Sequence, residues 1–178
     1  MESAGRRLLL TFGASAAGAI LLGGCSPETN VVAGLSVTDS GAALAVFNRC
    51  DSGLDGVVLY QNPGMNRAEQ RGAPDARWDF AGEDSELTTL NFTEPGAGWT
   101  TTTAFEGVNP ADSFSFSSFR EDHGGNSTQV TFTAADLEGL DVGQVRYATG
   151  FDAETQTLTH STVSLEQFRT EACDNAVV

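Results

Sequence analysis

From residue 31 onward, hydrophobic and polar residues alternate over short stretches that are separated by Gly, Asp, Asn and Pro. A period of two is typical of antiparallel strands with one buried face. We predict strands over residues 31–38, 42–50, 57–61, 77–81, 87–92, 99–106, 113–119, 128–133, 144–151 and 156–163. Many short strands at intervals of about ten residues, with almost no helix, predict an all-β fold.

The connections between these strands are also partly predictable. Residues 113–119 and 128–133 form one predicted hairpin, and residues 144–151 and 156–163 form another. Residues 62–76 are polar and contain prolines, which predicts a long loop. Ser164 and Gln167 have the spacing of a capping box, which predicts a short C-terminal helix that ends near residue 171.

An antiparallel β-sandwich accounts for this pattern better than an α/β fold, and a closed barrel is the main alternative. Leu140-Asp141-Val142-Gly143 followed by Tyr147 resembles a corner of immunoglobulin-like and fibronectin type III domains. Val142 replaces the usual Pro, and Tyr147 comes one residue late, so we expect its side chain on the opposite face. We predict one immunoglobulin-like sandwich domain over residues 31–178.

The first 25 residues have a different composition. Arg6 and Arg7 precede an apolar run over residues 8–22, and Gly23 and Gly24 then lead to Cys25. A basic segment, a short apolar segment and small residues are the parts of a signal peptide, here predicted as an N-terminal helix. The run is too short and too rich in Gly and Ala for a typical membrane span.

Leu22-Gly23-Gly24-Cys25 resembles the lipobox of bacterial lipoproteins. The resemblance implies that residues 1–24 are removed, that Cys25 carries a diacylglyceryl group, and that residues 25–30 tether the domain to the membrane. The alternatives are an ordinary core helix with a buried Cys25, or an uncleaved anchor. Arg6 and Arg7 suit both twin-arginine export and the general secretory route, and the sequence leaves that choice open.

With Cys25 assigned to lipid, Cys50 and Cys173 remain as a pair in an exported and therefore oxidising setting. We predict a disulfide between them, with two free buried thiols as the alternative. The two-residue period places Leu44, Val46 and Cys50 on one face of a strand, which predicts that Cys50 points into the core. The predicted C-terminal helix would bring Cys173 to Cys50.

Net charge limits the possible partners. The 178 residues have a formal charge of −15 and include no lysine, so arginine supplies every basic side chain apart from the two histidines. Removal of residues 1–24 leaves 7 arginines against 23 acidic residues, a net charge of −16. Nucleic-acid binding needs a basic surface, so we exclude it.

Acidic loops are the main candidates for metal binding. Asp51 and Asp55 match positions one and five of an EF-hand loop, which carry oxygen ligands. Position three, which also needs an oxygen ligand, is Gly53, and position twelve is Asn62 instead of a bidentate Glu. Asp51 and Asp55 are therefore weak calcium candidates, and a simple Asp/Gly turn is the alternative. Five further loop carboxylates are candidates for calcium binding, and all but Glu86 are also candidates for hydrolysis: Glu83, Asp84, Glu86, Glu121 and Asp122.

Catalytic motifs of the serine-hydrolase, zinc-protease, Walker A and dinucleotide-binding types do not occur after residue 25. His123 and His160 are the only histidines, and we interpret them as a turn residue and a strand residue. Trp78 and Trp99 suggest sugar stacking, but Trp99 alternates in phase with Phe105, which favours core packing.

These observations predict an exported, lipid-anchored envelope protein that lies outside the cytoplasmic membrane, or on an outer membrane if the cell has one. We expect a binding or structural module with no cofactor, whose partners are the membrane, through Cys25, and an envelope protein or glycan. An envelope hydrolase, or a calcium-dependent binding protein that uses the loop carboxylates, is the alternative.

Overall fold

A computed structural model describes residues 31–51, 53–62, 73–83, 85–121, 127–152, 154–155 and 157–175. The predicted signal segment, with Arg6, Arg7 and Cys25, lies outside these ranges, as does most of the predicted loop over residues 62–76. The described elements are, in chain order, β1 (Val31–Val37), β2 (Ala43–Arg49), β3 (Gly56–Asn62), β4 (Ala76–Phe80), β5 (Leu87–Asn91), β6 (Trp99–Thr103), β7 (Ser113–Phe119), β8 (Val130–Thr133), α1 (Ala134–Glu138), β9 (Gln144–Asp152), β10 (Thr157–Ser164) and α2 (Leu165–Asn175).

The strands form two five-stranded antiparallel sheets. Sheet A has the order β10-β9-β1-β2-β5, and sheet B has the order β6-β4-β3-β7-β8. Both predicted hairpins are confirmed, since β7 pairs with β8 and β9 pairs with β10. Each sheet keeps two edge strands within the described ranges, so the predicted sandwich is confirmed and the closed barrel is wrong.

The central pairings follow the immunoglobulin-like order. β2 lies between β1 and β5 in one sheet, while β3 lies between β4 and β7 in the other, with β8 next to β7. These neighbours correspond to strands A, B and E facing strands C′, C, F and G. β9 and β10 extend sheet A beyond β1. Tyr147 lies on β9, between β10 and β1, and not on β7.

Aromatic side chains fill the core between the sheets. Trp78 stacks on Phe92 with ring centroids 5.1 Å apart, and Phe92 in turn meets Phe116 edge-on at 5.3 Å. Phe47 from sheet A contacts the same Phe116 ring at 6.0 Å. All four side chains are buried. The alternating positions of β2, β4 and β7 therefore supply one interlocked cluster, as their period of two predicts.

Sheet A is buried on its outer face too, because α2 packs across it. Phe168 of α2 is fully buried and meets the Tyr147 ring edge-on at 5.2 Å. This second cluster explains why every residue of β1 is buried. Tyr147 and Cys50 both face α2. The prediction that Leu44, Val46 and Cys50 share a core-facing side is confirmed, and the core that they face lies between sheet A and α2.

The two helices begin with capping boxes. At α2, the Gln167 amide donates to the Ser164 hydroxyl and the Ser164 amide donates to the Gln167 side chain, both at 3.2 Å, as predicted. At α1, Thr133 and Asp136 make the same reciprocal pair. Helix α1 was not predicted; Thr133 ends β8, as predicted, and is also the N-cap of this helix.

Candidate functional site

The strand register defines two ends of the sandwich. Val31, where the described chain enters sheet A, pairs with Arg49 and bridges to Ser127, which is hydrogen-bonded to Ser118 near the end of β7. We call this the entry end. The opposite end, where β1 finishes at Val37 and β7 begins, is called the far end. Residues 25–30 precede Val31 in the chain, so any tether joins the domain at the entry end.

An open cleft of about 500 Å³ lies at the far end. It is lined by residues 104–109 together with Gln61, Asp75, Asp112 and Phe114. Gln61 and Phe114 are direct partners at the far end of β3 and β7. We call this feature the far cleft.

Two phenylalanines supply the apolar part of the far cleft. Phe105 and Phe114 meet edge-on with ring centroids 5.6 Å apart, and Phe105 also contacts Phe92 of the main core at 5.8 Å. Phe114 is buried and Phe105 is half-buried. Because these rings are fixed by the core, the apolar part of the cleft is preformed, which is the usual condition of a binding site.

The polar lining of the far cleft has a net negative charge. Asp75, Glu106 and Asp112 contribute carboxylates, and the described residues around the cleft include no arginine or histidine. The backbone N–H of Gln61 donates to Asp75 Oδ2 at 2.6 Å, which fixes that carboxylate against β3. The cleft therefore favours a cationic or hydrogen-bond-donating ligand and disfavours an anionic one.

The far cleft was not predicted from the sequence. The strand predicted to run through residue 106 ends at Thr103 as β6, and residues 104–109 form the wall of the cleft. Gly107 has φ +109°, a conformation that only glycine adopts readily, so the strand cannot continue there. The sequence Gly107-Val108-Asn109-Pro110 was the available indication of a loop.

The carboxylates that the sequence selected lie elsewhere. Asp55 Oδ2 accepts a hydrogen bond from the Glu121 amide at 2.8 Å near the entry end, so Asp55 joins two loops. Asp51 and Glu83 are exposed and do not line the far cleft, while Asp84 and Asp122 lie outside the described residues. Among residues that the structure describes, no three His, Cys, Asp or Glu side chains form a group able to hold a metal ion.

A small ionic network surrounds Arg77 at the same end. Arg77 Nη2 lies 2.8 Å from Asp79 Oδ1 and 3.7 Å from Glu121 Oε1, and its guanidinium lies over the Phe119 ring. The hydrogen bond from the Thr102 hydroxyl is the main cause that lowers the pKa of Asp79; burial opposes it, and the hydrogen bond and charge of Arg77 lower the pKa further. Asp79 is therefore a stable anion that ties β4 to β6, and it is unsuited to act as a general acid at neutral pH.

His160, Trp78 and Trp99, the described histidine and tryptophan candidates, are all buried or half-buried in the domain. His160 is half-buried, and burial followed by the nearby Arg146 charge lowers its pKa. Trp78 is fully buried and cannot stack on a sugar. Trp99 is half-buried against Phe80 and its indole donates to the Thr89 carbonyl at 2.8 Å. His123 lies outside the described residues.

The predicted disulfide between Cys50 and Cys173 is confirmed. Their sulfur atoms are 2.08 Å apart and their Cα atoms 5.6 Å apart. Since Cys50 directly follows Arg49, the partner of Val31, the disulfide fastens the C-terminal part of α2 to the entry end.

Comparisons with protein-family models, curated proteins and solved structures found no match to this chain. The part of the chain described by the structure contains no helix of the length and apolar character that crossing a membrane requires.

Proposed function

We propose that this protein is an exported lipoprotein, anchored to the membrane through Cys25, whose sandwich domain binds an envelope partner in the far cleft. The observation that supports this proposal is the position of the cleft, at the opposite end of the domain from Val31. A domain tethered through residues 25–30 therefore directs the cleft away from the membrane, where a partner in the envelope has access to it.

The lining of the far cleft favours one class of partner. Its carboxylates attract arginine and lysine side chains, and the Phe105 and Phe114 rings offer apolar contact to the stems of those side chains. An anionic glycan would be repelled by the same carboxylates. We therefore propose a protein segment with exposed basic residues as the ligand, in preference to a glycan.

The alternative of a hydrolase or a calcium-dependent protein receives less support. Asp55 and Glu121 are joined through a backbone amide, and Arg77 neutralises part of the charge near them. These contacts give Asp55 and Glu121 a structural role, in joining two loops and in pairing with a strand residue.

Mass spectrometry of the N-terminal peptide tests the anchor. We expect a mature chain that begins at Cys25 with its added mass of diacylglycerol, and a Cys25→Ala variant that stays unprocessed and unlipidated. A chain that still begins at Met1, or an unmodified Cys25, would overturn the anchor.

Recovery of the partner from an envelope extract tests the far cleft. The double variant Glu106→Gln/Asp112→Asn removes two cleft carboxylates, and Glu83→Gln/Asp174→Asn removes the same charge at exposed positions outside it. We expect the native protein and the control variant to retain a basic partner that the cleft variant loses. Equal recovery by all three, or recovery of no partner, would contradict the proposal.

A further inference from the structure

The described residues include four exposed large hydrophobic side chains, and two of them are neighbours. Phe151 is 51% exposed and Leu158 is 36% exposed, and they are direct partners across the β9–β10 hairpin. The other two, Val142 and Leu165, lie beside the beginning of β9, where the Leu165 amide donates to the Gly143 carbonyl. Exposure of a paired Phe and Leu to water at a hairpin tip is unfavourable, and covering the pair with another surface lowers the free energy.

The strand register places this hairpin tip at the entry end. β1 and β9 are antiparallel, with Gly34 opposite Tyr147. From that pair, β1 extends three residues back to Val31, while β9 extends four residues forward to Phe151. Phe151 and Leu158 therefore lie at or just beyond the level of Val31. By the same register, Val142 and Leu165 lie at the far end.

The chain before Val31 limits what can cover the tip. Residues 25–30 span at most about 20 Å when fully extended, so a lipid on Cys25 keeps the entry end near the bilayer surface. On the basis of the proposed anchor at Cys25, we propose that Phe151 and Leu158 form a second membrane contact, in which the hairpin tip inserts into the interfacial region of the bilayer. The occupant of this apolar surface is the lipid bilayer itself.

The charges at the tip determine the depth and the lipid preference of this contact. Asp152 accepts hydrogen bonds from the amides of Glu154 and Thr155 at 2.8 and 3.3 Å, and these bonds lower its pKa. The carboxylate therefore stays ionised and must remain among the headgroups. The contact is consequently shallow, and anionic lipids weaken it.

Depth-dependent fluorescence tests the proposal on the full mature lipoprotein in phosphatidylcholine vesicles. An environment-sensitive dye is attached to Leu158→Cys, while Val142→Cys, an aliphatic position that is 58% exposed at the far end, serves as the control. Cys25 is acylated and the other two cysteines are paired, so the new thiol is the labelled one. We expect a blue shift and quenching by spin-labelled lipid at position 158 and neither effect at position 142.

A second substitution tests the role of the neighbouring ring. Phe151→Ser added to Leu158→Cys should lower the quenching at least twofold, whereas the same change should leave the control position unaffected. A dye at position 158 that stays as water-exposed as the dye at position 142, on protein that floats with the vesicles, overturns the tip contact and leaves the anchor standing. Protein that carries no lipid and does not float with vesicles overturns both.

Discussion

Gly34 lies where β1 packs against both β9 and α2. A Cβ atom at this position would lie 2.3 Å from Val145 Cγ1 and 3.1 Å from the Phe168 ring. Both neighbours are fully buried and have no space to move. We expect Gly34→Ala to destabilise the protein by about 1–3 kcal/mol, the usual cost of overpacking.

Urea unfolding of the variant measures this loss. Gly96→Ala is the matched control, because a Cβ atom there meets nothing within 4 Å. A Gly34→Ala variant as stable as Gly96→Ala would show that α2 does not pack on β1 as described.

His160 makes the stability depend on pH. Burial, followed by the positive charge of Arg146, lowers its pKa below the ordinary value of 6.5, and Asp136 opposes this effect only in part. Between the lowered and the ordinary pKa, the unfolded chain binds more protons than the folded chain, so stability falls as the pH decreases through this range. We expect His160→Gln to remove this part of the dependence.

Thermal unfolding between about pH 7.5 and about pH 5 checks the sign of this effect. The melting temperature of the native protein should fall further than that of His160→Gln as the pH decreases across this range. His123 and all carboxylates are common to both proteins, so the difference reports on His160. Parallel curves for the two proteins would refute it.

Helix α2 depends on tertiary contacts for its position. The buried Asn48 side chain donates to the carbonyls of Phe168 and Arg169 at 2.9 and 2.7 Å, and the disulfide holds the C-terminal part of the helix. Eleven residues are too few for a stable isolated helix in water. Loss of the disulfide should therefore loosen α2 and expose the outer face of sheet A.

Reduction of the disulfide should cost about 2–5 kcal/mol of unfolding free energy, the range usual for a native disulfide. Denaturant unfolding with and without reductant measures it. Cys50→Ala/Cys173→Ala should match the reduced protein and be insensitive to reductant. If reductant leaves the native protein unchanged while thiol labelling shows both cysteines free, the disulfide has no stabilising role.

The positions of the strands could be predicted from the sequence, but which faces of sheet A are buried could be predicted only in part. Ser113–Phe119 has Phe114 and Phe116 at alternating positions that face the core, and its bounds were predicted correctly. β1 has no such alternation, because α2 covers the face that an ordinary sandwich leaves to solvent. The sequence of α2 gives the helix and its capping box, but not the sheet face that it covers.

The net charge acts on the molecule as a whole. At −15 for the full chain, or −16 after the proposed removal of residues 1–24, like charges repel one another in the compact state, and salt screens this repulsion. We expect the melting temperature to rise between about 10 mM and about 0.5 M NaCl, by about 2–4 °C for each kcal/mol gained.

Calcium provides the control for this salt effect. Because the described carboxylates form no metal-binding group, CaCl₂ and MgCl₂ at equal ionic strength should raise the melting temperature equally. A specific rise with calcium, lost in Asp51→Asn/Asp55→Asn, would instead indicate a calcium site in that loop.

The sequence by itself determined the sandwich class, most strand positions, both hairpins, the capped C-terminal helix and the pairing of Cys50 with Cys173. These features follow from local periodicity, turn chemistry and the number of cysteines. Only the tertiary structure decided that sheet A is buried on both faces, that the far cleft forms opposite the entry end, and that Phe151 and Leu158 lie at the entry end. Each of these depends on strand order and register, which join residues far apart in the chain, such as Gly34 with Tyr147 and Gln61 with Phe114, and leave no local pattern.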